Sequence, residues 1–163
     1  MNWTELLTEE IESTYRTAYG LFDLVDDDAI DWKPSTGENW MTTGQLLMHI
    51  ATDDWGMPEG VDVSDLPPEE MLPPAEKLPS VGSVAQAKKL LEEDHRTAID
   101  MLAKTTEEDL AGKMVGAPWD PRKRTLGHQL LIMVNHLSQH KAQLYYYLKL
   151  QGKPVNTGNL WGM

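Results

Sequence analysis

The chain has 163 residues, enough for one domain to bury a core without covalent help, and it lacks cysteine, which excludes disulfides, thiolate metal ligands and a cysteine nucleophile. A formal net charge of -12 argues against a nucleic-acid partner, because affinity for phosphates comes from clustered Lys and Arg. No apolar run approaches the roughly 20 residues that span a bilayer, and MNWTELLTEE opens with acids where a signal peptide carries Lys or Arg. The expectation is a soluble cytoplasmic protein without a membrane partner, folded as a single domain over 1–163.

Residues 3 to 26 place Leu7, Ile11, Thr14, Ala18, Leu21, Phe22 and Val25 at three- and four-residue steps, the pattern of one buried helix face. The acidic run Asp26, Asp27 and Asp28 ends it. In the following loop Trp32 and Trp40 flank Pro34 and Gly37, and read as lids on the end of the core. A second helix is expected from Thr42 or Thr43, either of which can cap it, to about Trp55, with Leu46, His49, Ile50 and Asp53 on one face. Alone, His49 would read as a packed core histidine; Asp53, one turn on, could orient it or add a carboxylate ligand.

From Gly56 to Gly82 the chain is rich in proline and acids and has no helical periodicity. Such a length suits a crossover between the ends of a bundle, or a flap over a site. The third helix is expected from Ser83, with Gln86 three residues later, to Lys104, burying Val84, Ala87, Leu91, Ala98 and Leu102. His95 falls on that stripe. It is either a hydrogen-bonded core group or a fourth ligand or proton-handling base beside a metal, and His95 is the candidate catalytic residue. Residues 105–124 read as a loop, strand-like alternation being absent. Its cluster Arg122, Lys123 and Arg124 is either a solvated loop or an attractor for an anionic substrate.

The last helix, TLGHQLLIMVNHLSQHKAQLYYYLKLQ, is capped by Thr125 and ended by Gly152 and Pro154. Gln129, Met133, His136, Leu137, His140 and Leu144 line one face. His136 and His140, one turn apart, project two imidazoles together, and His49 on a helix folded back onto this one would supply a third. His128 lies roughly 80° and 120° around the helix from the pair and is excluded as a ligand. At least one of Tyr145, Tyr146 and Tyr147 must face the core, and an exposed remainder offers an apolar patch for a second copy. The tail is too short for another element and is expected to fold back through Leu160 and Trp161.

The architecture read from these segments is all-α: a four-helix bundle with a long crossover between helices 2 and 3. Leu137 follows His136 where an HExxH metalloprotease has Glu, which disfavours peptide hydrolysis of that type. Three imidazoles around a divalent ion leave coordination open and lower the pKa of a bound water or thiol; zinc, nickel and iron all suit such a set.

The chain resembles the DinB-like family, also called DinB/YfiT-like metalloenzymes, in Trp32-x-Pro34, in GQLLMHIATDDW and in TLGHQLLIMVNHLSQHKAQL. The resemblance implies a four-helix bundle with His49, His136 and His140 as ligands completed by water, and commonly a homodimer. Gln139 stands where many members have another His, and Lys141-Ala142 replaces Arg-Gly. Members of known activity include transferases and isomerases that use low-molecular-weight thiols, so the implied activity is metal-dependent thiol S-transfer to an electrophilic small molecule, in preference to hydrolysis. Without cysteine, any thiol must arrive as cosubstrate, its carboxylate held by Arg122, Lys123 or Arg124. Two other readings stand beside it: a non-catalytic metal-binding or stress-related interaction protein, and a bundle whose histidines are packed core groups.

Overall fold

Asn2 accepts from the Glu5 amide while the Glu5 carboxylate accepts from the Asn2 amide, a capping box that starts α1 (Trp3–Phe22). In the computed structural model, which describes residues 2–52, 55, 73–117 and 120–163, every apolar position expected on the first helix is buried, and Tyr15 joins them. The helix stops earlier than the expected residue 26. The Leu24 and Val25 amides turn back to Leu21 and Phe22 in three-residue bonds, and a short 3-10 turn follows at Asp27–Ala29.

Thr42 caps α2 (Thr43–Ile50) through the Gln45 amide. The expected extension to Trp55 is corrected: Ala51 leaves helical geometry, and α2 has eight residues. Asp53 lies outside the described residues. Ser83 caps α3 (Val84–Ala103) as expected, helped by Asp27, whose carboxylate accepts from the Val84 amide at 2.7 Å.

The reading of 105–124 as a plain loop is also corrected. A short α4 (Glu107–Gly112) is followed by antiparallel strands β1 (Met114–Ala117) and β2 (Asp120–Thr125), with Met114 opposite Thr125 and an irregularity between Val115 and Ala117. Asp120 holds β2 together: its carboxylate takes the Arg122 guanidinium at 2.8 and 2.9 Å and the Arg124 guanidinium at 2.7 Å. Charge pairing at alternate positions does here what apolar alternation usually does, so the hydropathy pattern carries no strand signal.

Thr125 caps α5 (Leu126–Leu150), and Gly152, at φ +81, ends it while the Lys153 amide reaches back to the Leu148 carbonyl. The tail forms a further helix, α6 (Thr157–Trp161), capped by Asn156 and closed by Gly162 at φ +68. Leu160 packs against the core as expected, whereas Trp161 is 63% exposed. A better anchor is Lys141, 6% exposed, whose Nζ donates to the Leu160 carbonyl at 3.2 Å.

Cross-helix pairs fix the directions of the bundle. Trp3 lies against Gly127 and Asp26 pairs with Lys153, so α1 and α5 run parallel. Asp23 pairs with Lys88 while Tyr15 bonds to Asp94, so α3 runs against α1. Gln151 bonds to Thr43 at 3.1 Å and Tyr147 to the Met41 carbonyl at 2.9 Å, so α2 runs against α5. Helices α2 and α3 are therefore parallel, and the chain between them must return the length of the bundle. It arrives beside the start of α2, where the Val81 amide donates to the Gly44 carbonyl and Gln45 Nε2 to the carbonyls of Ala75 and Leu78. A Cβ on Gly44 would lie 2.8 Å from Ile30 and 3.0 Å from the Val81 carbonyl, so this return requires glycine. The fold is an all-α four-helix bundle with a long crossover. Among the described residues no helix is long and apolar enough to cross a membrane.

Candidate metal centre

Because α2 runs against α5, the last turn of the short helix meets the middle of the long one, which carries His49 to His136 and His140. His140 Nε2 lies 3.1 Å from His49 Nε2 and 3.0 Å from His136 Nε2. The rings stand nearly perpendicular, at 78° to 86°, so they meet through nitrogen edges and not as a stack. One nitrogen from each residue lies within 4.8 Å of the others, and among the described residues this is the group of His and carboxylate side chains able to hold a metal ion.

The hydrogen-bonding around His140 fixes which nitrogen faces the centre. Its Nδ1 lies 3.0 Å from Gln143 Oε1, an acceptor, so Nδ1 carries the hydrogen and Nε2 turns a lone pair toward its neighbours. Gln143 also donates toward the Tyr147 oxygen, which sets the orientation of the amide. Tyr147 in turn donates to Met41 just before α2, so one chain of bonds ties the His140 imidazole to the helix opposite. Gln143 is three residues beyond His140, a spacing that brings side chains together on a helix; that spacing was the available sequence signal.

Burial pushes the His49 pKa down to about 4, with the His140 and His136 imidazoles adding to the effect. His49 is therefore neutral near pH 7, as a ligand must be. Tetrahedral ligands at about 2.0–2.1 Å from an ion are separated by about 3.3–3.4 Å, so the two contacts of His140 Nε2 need open by only a few tenths of an ångström to match that spacing. An all-imidazole set leaves a coordination position for a small molecule.

The remaining sequence-predicted residues lie elsewhere. His95 sits on the α1–α3 seam, stacked on Tyr15 with centroids 4.4 Å apart, its Nδ1 3.3 Å from the Tyr19 hydroxyl and its Nε2 3.4 Å from Glu12. It opens into a cleft of about 610 Å³ that also includes Glu92 and Arg96. The three-histidine group does not include it as a fourth ligand. His128 is exposed, on another face, as expected. Arg122 and Arg124, expected to draw an anion, are both bound to Asp120. Trp32 and Trp40 set their rings edge-on to Tyr147, at 5.4 and 6.2 Å, closing the end of the bundle beyond the site. Of the three tyrosines, Tyr145 and Tyr147 are buried and Tyr146 is 62% exposed.

No curated protein matches the chain. The family model described as DinB superfamily matches residues 10–144, a span that holds His49, His136 and His140 together with most of the bundle. The chain belongs to the DinB superfamily.

Proposed function

We propose that His49, His136 and His140 hold one divalent ion, zinc, nickel or iron, and that the protein is a metal-dependent enzyme that transfers a small thiol to an electrophilic small molecule. The observation that carries this reading is the convergence of three Nε2 atoms, one of them with its tautomer set by Gln143. An ion held there supplies the positive charge that lowers the pKa of a thiol, or of water, into the neutral range. The chain's own residues do the rest: α2 and α5 position the imidazoles, burial keeps His49 neutral, and Gln143 holds the His140 proton at Nδ1. With no cysteine in the chain, the sulfur belongs to a cosubstrate. A proton-handling role for His95 would be exercised from the α1–α3 cleft, where Tyr19 and Glu12 are its partners. A homodimer is also proposed, Tyr146 and Leu150 offering exposed apolar area near the end of α5.

The test is turnover of an activated aryl halide or an epoxide with a panel of low-molecular-weight thiols, on protein loaded with each metal. Thiol consumption should require metal and disappear in His136→Ala. Metal uptake without turnover of any pair would contradict the enzyme reading and leave a non-catalytic metal-binding protein.

A further inference from the structure

The chain of bonds that ends on His140 has a direction, and its far end decides it. The Met41 carbonyl carries no hydrogen, so the Tyr147 hydroxyl, 2.9 Å away, is the donor. Tyr147 is 1% exposed, with the Trp32 and Trp40 rings edge-on to it, which leaves its oxygen little access to water. Its remaining partner is Gln143, one turn back on α5 and hydrogen-bonded to the Tyr147 side chain. A hydroxyl that already donates to a carbonyl can only accept, so Gln143 turns Nε2 to Tyr147 and Oε1 to His140, 3.0 Å from Nδ1. Nδ1 then bears the hydrogen and Nε2 the lone pair. Without that constraint the amide has no preferred face, and its other face would offer Nδ1 a donor and leave the hydrogen on Nε2. Met41 immediately precedes Thr42, the cap of α2, and His49 lies in the last turn of the same helix. Helix α2 thus touches α5 at both of its ends, and the two contacts lie about two helical turns apart on α5.

We propose that Tyr147 is a positioning residue for the three-histidine centre: its hydroxyl, directed by the Met41 carbonyl, fixes the Gln143 amide and through it the tautomer of His140. Docking of α2 then does two things in one movement, delivering His49 and turning the His140 lone pair toward it. The purpose of the device rests on the metal reading above, since an ion needs that lone pair. Removing the hydroxyl while keeping the ring frees the amide to face either way, so about half the molecules would carry the hydrogen on Nε2, where it blocks an ion. A glutamate at position 143 has no such ambiguity, because both carboxylate oxygens accept.

The test reads the imidazole nitrogens of metal-free protein by nitrogen NMR at about pH 8, above the ordinary histidine range. Wild type should show His140 protonated on Nδ1. Tyr147→Phe should show a second form with the hydrogen on Nε2, and Tyr147→Phe combined with Gln143→Glu should return to the Nδ1 form alone. In competition titrations the dissociation constant for zinc should rise about twofold in Tyr147→Phe and fall to the wild-type value or below in the double variant. His140 protonated on Nδ1 alone in Tyr147→Phe overturns the proposal, as does a second form that persists in the double variant. Collapse of the bundle in both variants overturns it too, since the hydroxyl would then hold α2 to α5 and not direct an amide. A wild type that takes up no zinc overturns the metal reading alone, because the tautomer is read without metal and decides this proposal by itself.

Discussion

Two histidine environments in this molecule differ in what surrounds the imidazole. On the α1–α3 seam His95 has an aromatic face to stack on, a hydroxyl beside Nδ1 and a carboxylate near Nε2. Between α2 and α5, His49 and His140 bring ring nitrogens together, and His136 adds a third. Tyr15 and Tyr19 hold the His95 ring, one by stacking and one by an oxygen beside Nδ1, while Nε2 makes no hydrogen bond among the described residues. The three imidazoles instead turn ring nitrogens on one another, with His140 Nε2 as an acceptor, and protonating all three would crowd like charges. The comparison teaches that position on an apolar stripe, which His95 and His140 share, does not separate a packed histidine from a ligand; the neighbours do.

The largest effect that would sharpen this contrast is removal of a ligand. His136→Ala should abolish metal retention and the rise in melting temperature on metal addition, whereas His95→Ala should retain both; equal metal content in the two variants would erase the distinction. Next is the partner that orients His140. Gln143→Leu removes the acceptor from Nδ1 and should weaken metal affinity about 10–100-fold in a competition titration. An unchanged affinity would mean that the helix alone orients the ring.

Acid should separate the regions further. The folded His49 pKa of about 4 lies below its ordinary value of 6.5, so as pH falls between the two the unfolded chain takes up a proton that folded His49 refuses. Its contribution is destabilising and grows from about pH 6.5 down to about pH 4, and metal should stabilise less over the same interval as protons compete for the ligands. Denaturant unfolding of metal-free wild type and His49→Phe against pH checks this: the variant should lose part of the acid sensitivity. The smallest effect belongs to His95→Phe, which keeps a ring against Tyr15 and should cost less than about 1.5 kcal/mol of stability, measured in the same way.

Much of the bundle was legible because its helices announce themselves twice, by buried periodicity and by caps. Leu7 to Phe22, a cap at Thr42 or Thr43, and Ser83 with Gln86 all sit where the pattern put them. The crossover was legible as length and composition. The hairpin was not, because Asp120, Arg122 and Arg124 hold β2 by charge at alternate positions. Nor was α6, whose five residues depend on a buried Lys141 to hold Leu160. At the site, the spacing of His136 and His140 set a direction and His49 was reachable by folding α2 back. The role of Gln143 depends on which way an amide turns, and periodicity does not carry that. His95 fell on the right stripe, but the tyrosine it stacks on and the hydroxyl beside its Nδ1 come from α1, remote in sequence.

The most direct measurement is elemental analysis of untagged protein purified without added metal, beside His49→Ala and His136→Ala. The account predicts about one divalent ion per chain in the wild type and none in either variant, since α2 and α5 each supply ligands to one centre. A wild type that carries no ion and takes up none on titration would contradict it, and the convergence of the three imidazoles would then be packing alone.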